Sequence, residues 1–180
     1  MRKLIMITKK LLEKTFPFFQ LGENRSLLEC DFYDTHHRYF DQIDDDYLSA
    51  IGVSAEGLLL EYGFDWPKFY MQVGLEAVRS RSRPNEGIKT WKDVSYEYLY
   101  YFGQDCGCLS SEGFKFFLPT AVYYFLITNE NKAYMDWFVF RLELQWEKDQ
   151  YVFNDAQKKF IIEFVKEHYK ENVVVFQKVC

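Results

Sequence analysis

Apolar residues along this chain recur mainly at a spacing of three and four, which predicts helices. The richest stretch runs from Ser110 to Leu126, SSEGFKFFLPTAVYYFL. Ser110 stands as its N-cap, and Glu112 in the first turn suits the helix dipole. Phe114, Phe117, Leu118, Ala121, Val122 and Phe125 make its apolar stripe. Pro119 interrupts that stripe, so the pattern predicts either one helix kinked there or two helices, the second starting at Pro119.

The same spacing places further helices. Leu4, Ile7, Leu11 and Leu12 predict one over Lys3–Thr15, ended by Pro17 because the residue before proline is pushed out of the helical region. One or two turns are expected over Arg25–Cys30. Asp44, Ser54 and Asp65 read as caps of helices ending near Ile51, Tyr62 and Ser80, the first two stopped by Gly52 and Gly63. Asp93 or Ser95 opens a helix through Phe102, with Gly103 as its stop. Over Asn131–Trp146 the spacing puts Ala133, Trp137, Phe140 and Leu144 on one face. Asn154 and Gln157 form a capping box ahead of Ile161, Phe164, Val165 and His168. Val173–Phe176 is β-branched and reads as a short strand or an apolar tail. With no convincing alternation of strands, the expected fold is all-α: a single-domain irregular bundle of about six to eight helices over residues 1–180. Its clearest internal loop, a candidate hinge, lies at residues 80–90, around Pro84 and Gly87.

Composition sharpens this picture. Aromatic residues make up 20% of the chain, so large rings build the core, and some Tyr and Trp are available as interface anchors. The net charge of −5 argues against a nucleic-acid backbone and favours a basic protein partner. Apolar runs are too short for a membrane span, and Lys9 and Lys10 break the N-terminal run that a signal peptide would need. The cysteines, Cys30, Cys106, Cys108 and Cys180, form no small disulfide framework; they read as reduced thiols of a cytoplasmic protein.

Catalytic motifs are scarce. There is no GxSxG elbow, no P-loop and no HExxH. Cys106-Gly107-Cys108 lacks the CxxC spacing of zinc and redox sites, so a turn is expected, with glycine supplying unusual backbone angles. His36 and His37, among carboxylates, offer a better metal-site candidate than the two cysteines, and no cofactor is expected. Arg79, Arg81, Arg83, Lys89 and Lys92 form a basic cluster suited to an exposed loop, or to a phosphate or acidic partner.

The segment Glu29–Asp46 holds seven acids (Glu29, Asp31, Asp34, Asp41, Asp44, Asp45 and Asp46) against one arginine, Arg38. The plainest account is a solvated face. The sharper one is an acidic, ring-bearing surface, with Asp31, Tyr33, Asp34, Tyr39, Asp41, Asp44, Asp45 and Asp46 as partner-binding residues. Phe40 and Tyr47 supply further rings. Inhibitors of cationic toxins present such surfaces, because complementary fields speed encounter and fix register.

The order TWKDV, LSSEGFKFFLPTAVYYFL, MDWFVFRLEL, FNDAQKKFIIEFVKEHY resembles a bacterial family known only as a domain of unknown function. The resemblance covers Trp91 to about Tyr169 and is carried by Trp91, Glu112, Phe114, Phe117, Leu118, Pro119, Gln157 and Phe164. Gly113 and Lys115 depart from the family's alanine and arginine. A helical fold is what the resemblance implies; it brings no activity. Three functions follow as expectations. The first is a non-catalytic cytoplasmic protein-binding protein, specifically an immunity protein neutralising a bacterial toxin. The second is a metal-dependent hydrolase using His36, His37 and nearby Asp. The third is a structural or regulatory module docking through Val173–Phe176.

Overall fold

In a computed structural model, residues 7–31, 87–128 and 131–169 are described. Among them the secondary structure is entirely helical: α1 (Lys9–Thr15), α2 (Leu27–Asp31), α3 (Tyr96–Phe102), α4 (Ser111–Ile127), α5 (Ala133–Asp149) and α6 (Asp155–His168). Short 3-10 segments occupy Trp91–Asp93, Gly103–Cys108 and Gln150–Val152. The expected all-α class is the observed one. No helix among the described residues is long and apolar enough to cross a membrane. The expected helices between Asp44 and Ser80 and the Val173–Phe176 strand or tail lie outside the described residues.

Local chemistry sets the helix ends. The first helix starts at Lys9 and not Lys3, because extended Thr8 caps it, its hydroxyl accepting from Leu11 N–H at 3.2 Å. α2 starts on a capping box: Ser26 Oγ accepts from Glu29 N–H at 3.2 Å, and Glu29 Oε2 accepts from Ser26 N–H at 2.8 Å. Ser95, not Asp93, caps α3. Asp93 instead closes the preceding 3-10 turn, where its Oδ2 accepts from Thr90 N–H at 2.7 Å. Ser110 caps α4 by accepting from Gly113 N–H at 3.0 Å. The Asn154–Gln157 box forms as expected, and Gln157 also donates to Thr15 O at 3.3 Å.

Two expectations about breakers are corrected or resolved. α4 is one helix that runs through buried Pro119. The Gly103–Cys108 segment needs no unusual backbone: among the described residues positive φ occurs only at Gly22 and Gly87. Gly103 instead marks a close approach, since a Cβ there would sit 3.0 Å from Tyr134 Cβ on α5.

The described elements share one core. α4 lies at its centre with Phe114, Phe116, Phe117 and Leu118 buried. Phe114 stacks on Phe138 of α5 at 5.6 Å, and Phe117 stacks on Tyr98 of α3 at 6.2 Å. The N-terminal residues are stitched to this core over long chain separations. Trp91 Nε1 donates to Phe16 O at 3.1 Å, Leu28 N–H donates to Tyr98 Oη at 3.0 Å, and Ser110 Oγ donates to Asn24 Oδ1 at 2.6 Å. The Thr120 hydroxyl in turn donates to Trp91 O.

Candidate protein-binding surface

α5 is apolar on two sides. Its inner side buries Tyr134, Met135, Phe138, Val139, Leu142 and Trp146 against the core. Its outer side carries Trp137, Phe140 and Leu144, which stay 48%, 51% and 66% exposed, with Ala133 also in solvent. The face that helical spacing groups together is therefore the outward one. Both stripes satisfy helical spacing. The deciding difference is polar, because the inner side also carries Arg141 and Asp149, which count against burial in any hydropathy reading.

That charged pair is buried and hydrogen-bonded. Arg141 Nε donates to Asp149 Oδ2 at 2.9 Å and Nη2 to Asp149 Oδ1 at 3.2 Å. Its Nη1 donates to the carbonyls of Cys106 and, at 2.9 Å, Leu109. The guanidinium lies 4.5 Å from the Phe114 ring centroid. Asp149 Oδ1 also accepts from Ser111 Oγ at 2.6 Å. Burial of two charges is tolerated only when they are paired and hydrogen-bonded, as here. The pair ties α5 to the Gly103–Cys108 segment and to the start of α4. It therefore holds α5 in place.

Beside the outer stripe a groove of about 440 Å³ opens between α5 and the end of α6. Val139, Trp137 and Phe140 give it apolar walls; Asp136, Glu143 and Tyr169 give it a polar side. Tyr169 Oη donates to Asp136 Oδ1 at 3.1 Å. Burial first, and then the Asp136 carboxylate, push the Tyr169 phenol well above its ordinary value of 10.0, so it stays a neutral donor. Glu147 extends the acidic edge. Of the helix's two basic residues, Arg141 is buried and Lys148 stands near its end. The arrangement is a ring-rich, acid-edged helix face. Asp136, Glu143 and Tyr169 were not singled out from sequence; the available signal was a second apolar stripe with carboxylates one position to its side.

The residues proposed from sequence fall elsewhere. Asp31 is fully buried at the end of α2, and so is Glu29, whose carboxylate caps its own helix. Neither forms the solvated acidic face expected of them, since all five residues of α2 are enclosed. Tyr33, Asp34, Tyr39, Asp41, Asp44, Asp45 and Asp46 lie outside the described residues, as do His36, His37, Arg79, Arg81 and Arg83. Lys89 is exposed, and Lys92 pairs with Glu13 at 3.5 Å.

Cys30, Cys106 and Cys108 are free thiols. Burial raises the Cys30 thiol far above its usual range and pushes Cys106 up to about 12, so both are held in the unreactive protonated form. His168 packs on Phe125 and Phe164, with ring centroids 5.1 and 5.0 Å away, and burial lowers its pKa from 6.5. Among the described residues no three His, Cys, Asp or Glu side chains gather to hold a metal ion. No family model matches the chain, and no similar curated protein or solved structure is found.

Proposed function

We propose that this chain is a non-catalytic protein-binding protein and that the outer face of α5 is a docking surface. The observation carrying this is the exposed stripe Trp137, Phe140 and Leu144 beside a groove. Large exposed rings on a rigid helix are the residue types that dominate interface energetics. Contiguous exposed apolar surface on a folded domain marks interaction sites. The buried Arg141–Asp149 pair supports the surface by fixing the helix that presents it.

In its finer form the proposal is a cytoplasmic immunity protein that neutralises a cationic bacterial toxin. The acidic segment through Asp44, Asp45 and Asp46 steers the partner electrostatically, and the α5 rings supply short-range affinity. Co-purification with the product of the adjacent upstream gene tests it. Trp137→Ala/Phe140→Ala/Leu144→Ala is expected to abolish capture, and charge reversal of Asp44, Asp45 and Asp46 to slow association. Retention of the partner by the triple alanine variant would remove α5 from the interface; unchanged association after charge reversal would remove the acidic segment.

A further inference from the structure

A second groove runs between α1 and α6 and shares no lining residue with the one on α5. We infer that it binds a medium-chain aliphatic carboxylate, with the anionic head at the Thr15–Asn154 end and the chain running toward Ile7. Three observations carry this. The first is the cavity. It holds about 400 Å³, within the range of about 300–1,000 Å³ usual for small-molecule sites. Ile7, Leu11 and Phe160 give it apolar walls.

Direction is the second. Ile7 N–H donates to Glu167 Oε2 at 3.3 Å, and Thr15 O accepts from Gln157 Nε2 at 3.3 Å. The two helices therefore run antiparallel, and the last turn of α1 meets the first turns of α6. Donors gather at that end: Lys14 and the Thr15 hydroxyl from α1, Asn154 and Lys159 from α6. Asn154 Oδ1 accepts from Gln157 N–H at 2.9 Å, which leaves its Nδ2 able to donate. From Thr15 to Ile7 the groove spans about 12 Å at 1.5 Å per residue, so a medium-chain tail reaches the far end and acetate does not.

The third is charge. Lys14 and Lys159 are exposed, and among the described residues neither pairs with a carboxylate. Glu13, beside Lys14 in sequence, is met instead by Lys92 at 3.5 Å. Glu163 does line the groove, but it lies one turn beyond Lys159 and is 3.7 Å from Lys166. Asp155 is exposed and is not a lining residue. Two ammonium groups on facing helices, with neutral donors between them, select an anion, and hydrogen bonds from ammonium to carboxylate are the strong kind. The apolar walls select an anion that carries a hydrocarbon tail. A cationic head meets two like charges there, and an alcohol gains the tail contacts alone.

The test is calorimetric titration of the full chain with decanoate below its micelle-forming concentration. Decanoate is expected to bind with one-to-one stoichiometry, and acetate, decanol and decyltrimethylammonium each about tenfold or more weakly. Lys14→Gln/Lys159→Gln should weaken decanoate by about tenfold or more. Ala156→Trp, which sets a large ring into the groove from an exposed lining position, should abolish binding. Trp137→Ala/Phe140→Ala should leave it unchanged, which separates the groove from the α5 stripe. All these substitutions lie at exposed positions, so the melting temperature is expected to stay at the parent value.

Absence of decanoate binding would overturn the site. Decanol or decyltrimethylammonium binding as tightly as decanoate would overturn the anionic ligand, even if Ala156→Trp blocked it. Decanoate binding that is indifferent to the lysine and Ala156 substitutions, or that is lost in Trp137→Ala/Phe140→Ala, would overturn the α1–α6 groove as its location.

Discussion

α4 and α5 are both seventeen residues long and lie against each other, yet they use their apolar residues differently. α4 has no polar side worth the name: it buries Phe114, Phe116, Phe117, Leu118, Ala121 and Val122 together with Thr120. α5 has two apolar sides and buries only one, and the buried one holds a charged pair. The contrast shows that an apolar stripe identifies a helix but not its inward face. Orientation in α5 follows from where Arg141 finds its partners. The carbonyls of Cys106 and Leu109 and the Asp149 carboxylate all lie on the side that faces the core.

The sharpest way to break this comparison is to remove the charge that orients α5. Arg141→Ala leaves Asp149 buried and unpaired and is expected to cost about 3–5 kcal/mol in denaturant unfolding. Replacing both partners with apolar residues of similar volume should recover much of that loss. A double variant as unstable as Arg141→Ala would show that the carbonyl contacts, and not the charge pair, orient the helix.

Next comes a direct contrast of the two sides. Phe138→Ala on the inner side should cost about 3–5 kcal/mol, with its ring lost from the Phe114 stack. Phe140→Ala, two residues on, should stay within about 0.5 kcal/mol of the parent. Equal costs would mean that Phe140 is not on the surface.

α4 gives the smaller effects. Thr120→Val removes the hydroxyl bonded to Trp91 O and leaves a carbonyl unmet, an expected loss of about 1–3 kcal/mol by chemical denaturation. Ser110→Ala, which removes the cap on Gly113 N–H and the bond to Asn24, should cost about 1 kcal/mol in the same measurement.

Much of the architecture was legible wherever one strong local signal acted. Ser110, Ser95 and the Asn154–Gln157 box start the helices that their hydroxyl and amide groups predict. The Ser26–Glu29 box has the same pattern and was legible too, but acidic composition around it suggested a solvated face. Burial of Glu29 depends on a local bond to Ser26 N–H that charge counting does not register. Gly103 was read as the stop of α3, and α3 does end at Phe102 with Gly103 as its C-cap; the close approach of Tyr134, from a helix thirty residues later, was not legible. The candidate surface was half legible. Trp137, Phe140 and Leu144 were grouped on one face, but spacing alone did not say which way that face points, because the Cys106 and Leu109 carbonyls that help orient α5 come from another part of the chain.

The long-range bonds among Trp91, Tyr98, Ser110 and the N-terminal residues bear on covalent continuity. Phe16, Leu28 and Asn24 are anchored by partners 75, 70 and 86 positions away, and Leu12, Phe16, Leu27 and Leu28 belong to the shared core. The two pieces on either side of residues 32–86 are thus held to each other by direct bonds and a shared core. A single cut there would raise the entropic cost of bringing the pieces together without removing one buried contact among the described residues. The domain would then persist as a two-fragment complex that co-elutes in native buffer and separates only in denaturant.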